Sequence, residues 1–167
     1  PNFIEFCEQN APAEMAEKSK FLVGDACELT AFMKREVPAW LEGTTKITIC
    51  VGNTIGIMPP DIQSAVYEQM AELAGEDGVA VVVYWNGNSF GEALQHFYWK
   101  NPKLCGPFSG ENIDLATCTL STPSGYHTHW TKPEEARELI ESKGFEVVKL
   151  EEKGRGVLLA YKNRTSA

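Results

Sequence analysis

Hydrophobic and polar positions change their spacing repeatedly along this chain, and each change marks an element. From Asp61 to Ala74 the apolar residues Ile62, Ala65, Val66, Met70, Leu73 and Ala74 make one helical face, with Asp61 as cap and Gly75 as stop. Val79 to Tyr84 is apolar at nearly every position, the pattern of a strand covered on both faces of a parallel sheet. Lys46 to Val51, β-branched and closed by Gly52-Asn53, predicts a second strand. The short run Lys20 to Gly24, ending in Asp25, predicts a third. Phe145 to Glu151 and Val157 to Lys162 flank the turn Lys153-Gly154-Arg155-Gly156, which suits an antiparallel hairpin. Thr131 to Lys143 reads as a helix, with Thr131 and Glu134 at capping-box spacing, Pro133 in the first turn and Gly144 at its end. Phe90 to Lys100, loaded with aromatics, reads as another. Pro1 to Glu8 predicts a short helix, and Ala31 to Leu41 a helix interrupted at Pro38.

Strands alternating with helices and closing in a hairpin form an α/β open-sheet pattern, here a single domain over residues 1–167. Ligands of such sheets sit beyond the carboxyl ends of the strands. The candidate chemistry therefore lies at three strand ends: Asp25-Ala26-Cys27, Gly52-Asn53-Thr54 and Trp85-Asn86-Gly87.

Composition narrows the partners. The chain is 43% hydrophobic and 23% charged, ordinary for a globular domain, and lacks the ~18-residue apolar stretch of a membrane span. Its net charge of −8 disfavours nucleic acid and anionic membranes, whose affinity for proteins rests largely on Lys and Arg. The five cysteines are odd in number and lack metal-ligand spacing; they read as free thiols of a cytoplasmic protein, with no metal site.

The strand ends also carry a resemblance. Phe21-Leu-Val-Gly-Asp-Ala-Cys-Glu-Leu29 resembles the acidic loop after the third strand of class I, Rossmann-like S-adenosylmethionine-dependent methyltransferases. Ile49-Cys-Val-Gly-Asn-Thr-Ile-Gly-Ile-Met-Pro59 resembles their fourth strand and its loop, nearest the glycine N-methyltransferase-like branch. The hairpin after Gly144-Phe145-Glu146-Val147 resembles the last two strands of that fold, and Pro1-Asn2-Phe3-Ile4 the helix after its second strand. The likeness covers essentially the whole chain. It implies an open sheet with helices on both faces and the fold's first two strands missing.

The resemblance implies S-adenosylmethionine as cofactor and methyl transfer to a small-molecule nitrogen or oxygen acceptor. Asp25 would accept from the adenine amino group, with Ala26 and Cys27 along the ring edge and Leu29 on its face. Gly52 and Asn53 would lie near the methionyl group, and Thr54 and Ile55 beside the transferred methyl. Two features of the family are absent: the glycine-rich loop after the first strand and the acidic residue after the second. In the family's strand order, 3-2-1-4-5-7-6, Lys20–Gly24 would then lack a neighbour beside Lys46–Val51. The expectation is a truncated chain, or one whose missing N-terminal part comes from a further segment or a second chain. Ile57 departs from the histidine common in the branch, which leaves the acceptor open.

On the acceptor side, Tyr126-His127-Thr128-His129-Trp130 is the densest polar and aromatic cluster. His127 and His129 are candidate catalytic bases, sharing one face if extended. Tyr84, Trp85, Asn86 and Tyr126 are candidate substrate contacts, whereas His96, Phe97, Tyr98 and Trp99 read as packing. Two alternatives stand beside the enzyme: a non-catalytic, methyltransferase-like partner subunit, and a nicotinamide-dependent dehydrogenase, which the missing fingerprint glycines disfavour.

Overall fold

The structure, a computed structural model, describes residues 2–15 and 17–164; Pro1, at the start of the first expected helix, lies outside them. In chain order the elements are α1 (Asn2–Asn10), α2 (Leu29–Glu36), β1 (Ile47–Cys50), α3 (Pro60–Ala74), β2 (Val79–Trp85), α4 (Phe90–Ala93), α5 (Pro102–Cys105), β3 (Ile113–Asp114), β4 (Thr119–Ser121), β5 (His127–His129), α6 (Pro133–Ser142), β6 (Phe145–Lys153) and β7 (Gly156–Asn163).

The main sheet has the order β1-β2-β7-β6. β1 and β2 run parallel with Ile47 opposite Val79, while β7 is antiparallel to β2, with Tyr84 opposite Val157. β6 and β7 form the expected hairpin, bulged between Val147 and Lys149. Reversal of the last strand between β2 and β6 completes the Rossmann-like end of the sheet. On one face Ala80, Val82 and Tyr84 of β2 and Val157, Leu159 and Tyr161 of β7 meet Val66, Tyr67 and Met70 of α3 and Ala136 and Ile140 of α6. Each large apolar side chain buried there contributes about 1.5–3 kcal/mol. The Tyr161 hydroxyl donates to the Tyr67 carbonyl at 2.9 Å, so this core aromatic keeps its polar end satisfied.

Both long helices, α3 and α6, thus cover the same face, where the sequence reading has helices on both. On the opposite face of β1, Ile47, Ile49 and Val51 stand 66%, 64% and 55% exposed. Among the described residues β1 has β2 as its one strand partner, so its outer edge is open.

Several elements differ from expectation. Lys20–Gly24 is not a strand: it joins no ladder, and Leu22 and Val23 are exposed. A five-residue apolar run does not by itself define a strand, and β1 offers this one no hydrogen-bonded neighbour. Helix α3 begins one residue early, with Pro60 in the first position and Asp61 inside the first turn, where its charge still suits the helix dipole. In α6 it is Glu135, not Glu134, whose carboxylate accepts from the backbone N–H three residues before it, at Lys132 (3.3 Å). Pro38 interrupts the second helix as expected, leaving α2 and a short 3-10 turn over Pro38–Trp40.

The region after β2 is more elaborate than a single helix. Phe90–Ala93 widens into a π-helical turn over Leu94–Tyr98, marked by the bond from Trp99 N to Leu94 O at 3.1 Å. Beyond it α5 and the small antiparallel sheet β3-β4-β5 close a second core around Phe90, Leu94, Tyr98, Leu120 and Trp130. Among the described residues no helix is long and apolar enough to cross a membrane.

Candidate functional site at the carboxyl edge of the sheet

The first candidate stretch, which follows no strand, is a tight cap. Asp25 Oδ1 accepts from Cys27 N at 2.8 Å and starts a 3-10 turn that leads into α2. The Asp25 side chain is otherwise exposed. Behind it lies a cleft of about 300 Å³, bounded by Asp25 and Ala26 and walled by Leu29, Phe32, Val37 and Trp40. Lys20 Nζ sits 5.9 Å from the Trp40 ring centroid at the rim. An exposed carboxylate beside an apolar and aromatic wall suits a flat heterocycle that presents an amino group. Cys27 does not line this cleft; burial and the Asp25 carboxylate push its thiol up, away from thiolate chemistry.

The second strand end, after β1, turns through two residues with positive φ, Gly52 (+74°) and Asn53 (+60°). A non-glycine residue holds that conformation where its side chain is tied down. Asn53 is 4% exposed; its Oδ1 accepts from Trp85 N (3.0 Å), and its Nδ2 donates to Thr128 Oγ1 (3.2 Å) and to the His129 carbonyl (3.4 Å). The side chain is thereby committed to joining β1, β2 and β5, and what this turn offers a ligand is backbone. A Cβ on Gly56 would collide with the His129 carbonyl and the Asn53 amide, so glycine is required for the loop to pass. Thr54 is exposed with its hydroxyl on Val51 O, and Ile55 is fully buried. Ala26, Cys27 and Leu29 pack against the same core as Ile55 and Met58.

The third strand end is divided. Tyr84 lies in the main core at 1% exposure, and among the described residues its hydroxyl has no hydrogen-bond partner. Asn86 is also buried: its side chain accepts from Asn88 N and donates to Glu152 at 2.6 Å. Trp85, by contrast, points into a second cavity of about 480 Å³, walled with Phe97, Tyr98, Tyr126, Trp130 and Arg155. Its ring stacks on Trp130 at 5.7 Å between centroids, and Trp130 Nε1 donates to the Tyr98 hydroxyl at 3.0 Å.

Strand β5 sorts the polar cluster by face. His127 and His129 sit opposite Ser121 and Thr119 of β4 and approach their hydroxyls through Nδ1, at 2.9 and 3.3 Å. Alternation puts Tyr126, Thr128 and Trp130 on the other face, so the histidines point away from the aromatic cavity. Desolvation lowers the pKa of His129, which favours its neutral form. Among the described residues no group of three or more His, Cys, Asp or Glu is placed to hold a metal ion.

No protein-family model matches the sequence, and no curated protein matches it. Solved structures do. PH0226 from Pyrococcus horikoshii OT3 superposes with a TM-score of 0.64 over 98% of this chain and 68% of its own, at 16% identity. A 1,6-didemethyltoxoflavin-N1-methyltransferase from Burkholderia thailandensis, solved with its substrate and S-adenosylhomocysteine, gives 0.56 over 98% and 57%, at 11% identity. The glycopeptide N-methyltransferase MtfA gives 0.55 over 96% and 68%, at 12% identity.

The chain has a class I methyltransferase fold.

It spans 28–68% of the length of the solved structures it matches. At these identities the likeness concerns the methyltransferase fold, and the side chains must speak for the site. Phe97, Tyr98 and Arg155 line a cavity although the sequence offered the first two as packing residues and the third as part of a turn; Trp130, from the cluster offered on the acceptor side, joins them. Phe97 and Tyr98 lie in the π turn, which a helical period in the sequence does not announce.

Proposed function

We propose that this chain is the catalytic-fold portion of an S-adenosylmethionine-dependent methyltransferase acting on a small-molecule nitrogen or oxygen acceptor. The observation that carries the reading is the Asp25 cleft: an exposed carboxylate beside a 300 Å³ apolar recess. The residues fit the adenine end of the cofactor. Asp25 would accept from the exocyclic amine, Ala26 would lie along the ring edge, and Leu29 would pack on its face; Cys27, outside the cleft, would act only by holding the Asp25 cap. The Gly52–Asn53 backbone would face the methionyl group, with Thr54 beside it. Ile55 would act from behind, fixing the loop.

When bound, S-adenosylmethionine supplies a sulfonium-borne methyl group to the acceptor's lone pair. The protein's own work is alignment and exclusion of water. Trp85 and Tyr126 wall the neighbouring cavity and would hold the acceptor there, with Tyr84 and Asn86 shaping that wall from the interior. A neutral amine needs no strong base; for a hydroxyl acceptor, neutral His129 suits the proton-accepting role better than a charged imidazole. For His129 or His127 to serve, the acceptor must reach past β4–β5 to the histidine face.

The open edge of β1 favours a second component to the reading. Exposed backbone and the stripe Ile47, Ile49 and Val51 fit a parallel strand and its helix from further polypeptide, which would also bring the missing cofactor loop. A non-catalytic partner subunit would present the same edge but would not bind the cofactor. Titration calorimetry with S-adenosylhomocysteine separates the two. Asp25→Asn should weaken binding about tenfold, the loss of one charge-assisted hydrogen bond. Equal affinity in the variant refutes the adenine assignment.

A further inference from the structure

We infer that the cavity beyond β2 takes a planar aromatic acid, its ring laid on Trp85 and its carboxylate on Arg155; as an acceptor site this rests on the function proposed above. Shape argues for a flat ring. Trp85 and Phe97 are each 42% exposed at the cavity, while Tyr98 and Trp130 behind them are 2% and 4% exposed. The buried pair is locked by the Trp130–Tyr98 hydrogen bond and by near-perpendicular packing of the rings (69°, centroids 6.2 Å apart). Trp85 stacks on Trp130 with one face, at 26° between planes. A rigid, partly exposed aromatic wall of this kind favours a stacked partner with centroids about 4.5–7 Å apart. The volume, about 480 Å³, falls within the range of pockets for small organic ligands.

Charge argues for an acid. Arg155 is the cation lining the cavity, held by the β6–β7 turn, whose carbonyl at Arg155 accepts from Asn86 N at 2.8 Å. Its Nη2 pairs with Glu92 at 2.7 Å, and both partners are roughly half-exposed. A guanidinium presents five N–H donors in a fork, so one contact to Glu92 leaves others for a carboxylate. The same positive charge disfavours an ammonium, which aromatic walls alone would accept.

Indole-3-carboxylate is the probe, read by saturation-transfer NMR and calorimetry on the full chain. Indole lacks the acid, cyclohexanecarboxylate lacks the flat ring, and tryptamine reverses the charge. The expected order places indole-3-carboxylate about tenfold or more ahead of each. Arg155→Gln should abolish its advantage over indole, and Phe97→Ala should weaken both ring compounds together. Equal binding of tryptamine or cyclohexanecarboxylate overturns the inference, as does an Arg155→Gln variant with unchanged selectivity. Ring-and-acid selectivity in a protein that ignores S-adenosylhomocysteine would keep this site and remove the methyltransferase reading. Cofactor binding through Asp25 without that selectivity would do the reverse.

Discussion

Asn53 shows how a residue proposed for the site also carries the fold. Its side chain closes three hydrogen bonds in a 4%-exposed position and holds a left-handed backbone angle. Truncating it strands the Trp85 amide and the His129 carbonyl, so Asn53→Ala should cost about 2–3 kcal/mol, measured by urea unfolding. A loss below about 0.5 kcal/mol would mean that these bonds are not made. His129 gives a pH signature. Desolvation lowers its folded pKa below that of the unfolded chain, so the unfolded state binds more protons in the interval between the two. Its contribution to stability is present above the ordinary histidine range and is lost as pH falls through the folded value. Unfolding midpoints should therefore drop between about pH 7 and pH 5, and His129→Gln should flatten that part of the profile. An identical slope in the variant contradicts the assignment.

At the level of elements, legibility followed the strength of the local pattern. Asp61–Ala74 and Val79–Tyr84 declare themselves by period and by uniform burial, and the hairpin by its glycine turn. The run Lys20–Gly24 misled because apolar content says nothing about a missing neighbour strand. The second core was unreadable for a different reason: it is assembled from a π turn, a four-residue helix and strands of two or three residues, each too short for a period to appear. The Asp25 and Gly52–Asn53 loops and Trp85 were singled out by their place after expected strands; that Phe97 and Tyr98 share a cavity with Trp85 was not legible, since its rings come from separate elements. β1 carries the clearest prediction at this scale. In hydrogen exchange, its outward amides should exchange far faster than those of β2, which is flanked on both sides. Equal protection would show that the edge is already covered.

Taken as a whole molecule, the chain has two cores. The helix-covered face of the main sheet anchors the Asp25 and Gly52–Asn53 loops, while the second core walls the aromatic cavity at the end of β2. Asn53 and the bridge between Asn86 and Thr131 tie the halves together. The acidic balance, −8 overall, leaves Lys20 and Arg155 as the cations beside the two recesses. That both loops open onto a common nucleoside pocket is the claim on which the rest stands. Amide chemical-shift mapping during a titration with S-adenosylhomocysteine tests it most directly. Shifts should concentrate at 24–29 and 51–55 and vanish at 24–29 in Asp25→Asn. Shifts confined to one loop, or spread over the outer faces of β1 and α6 instead, would contradict it.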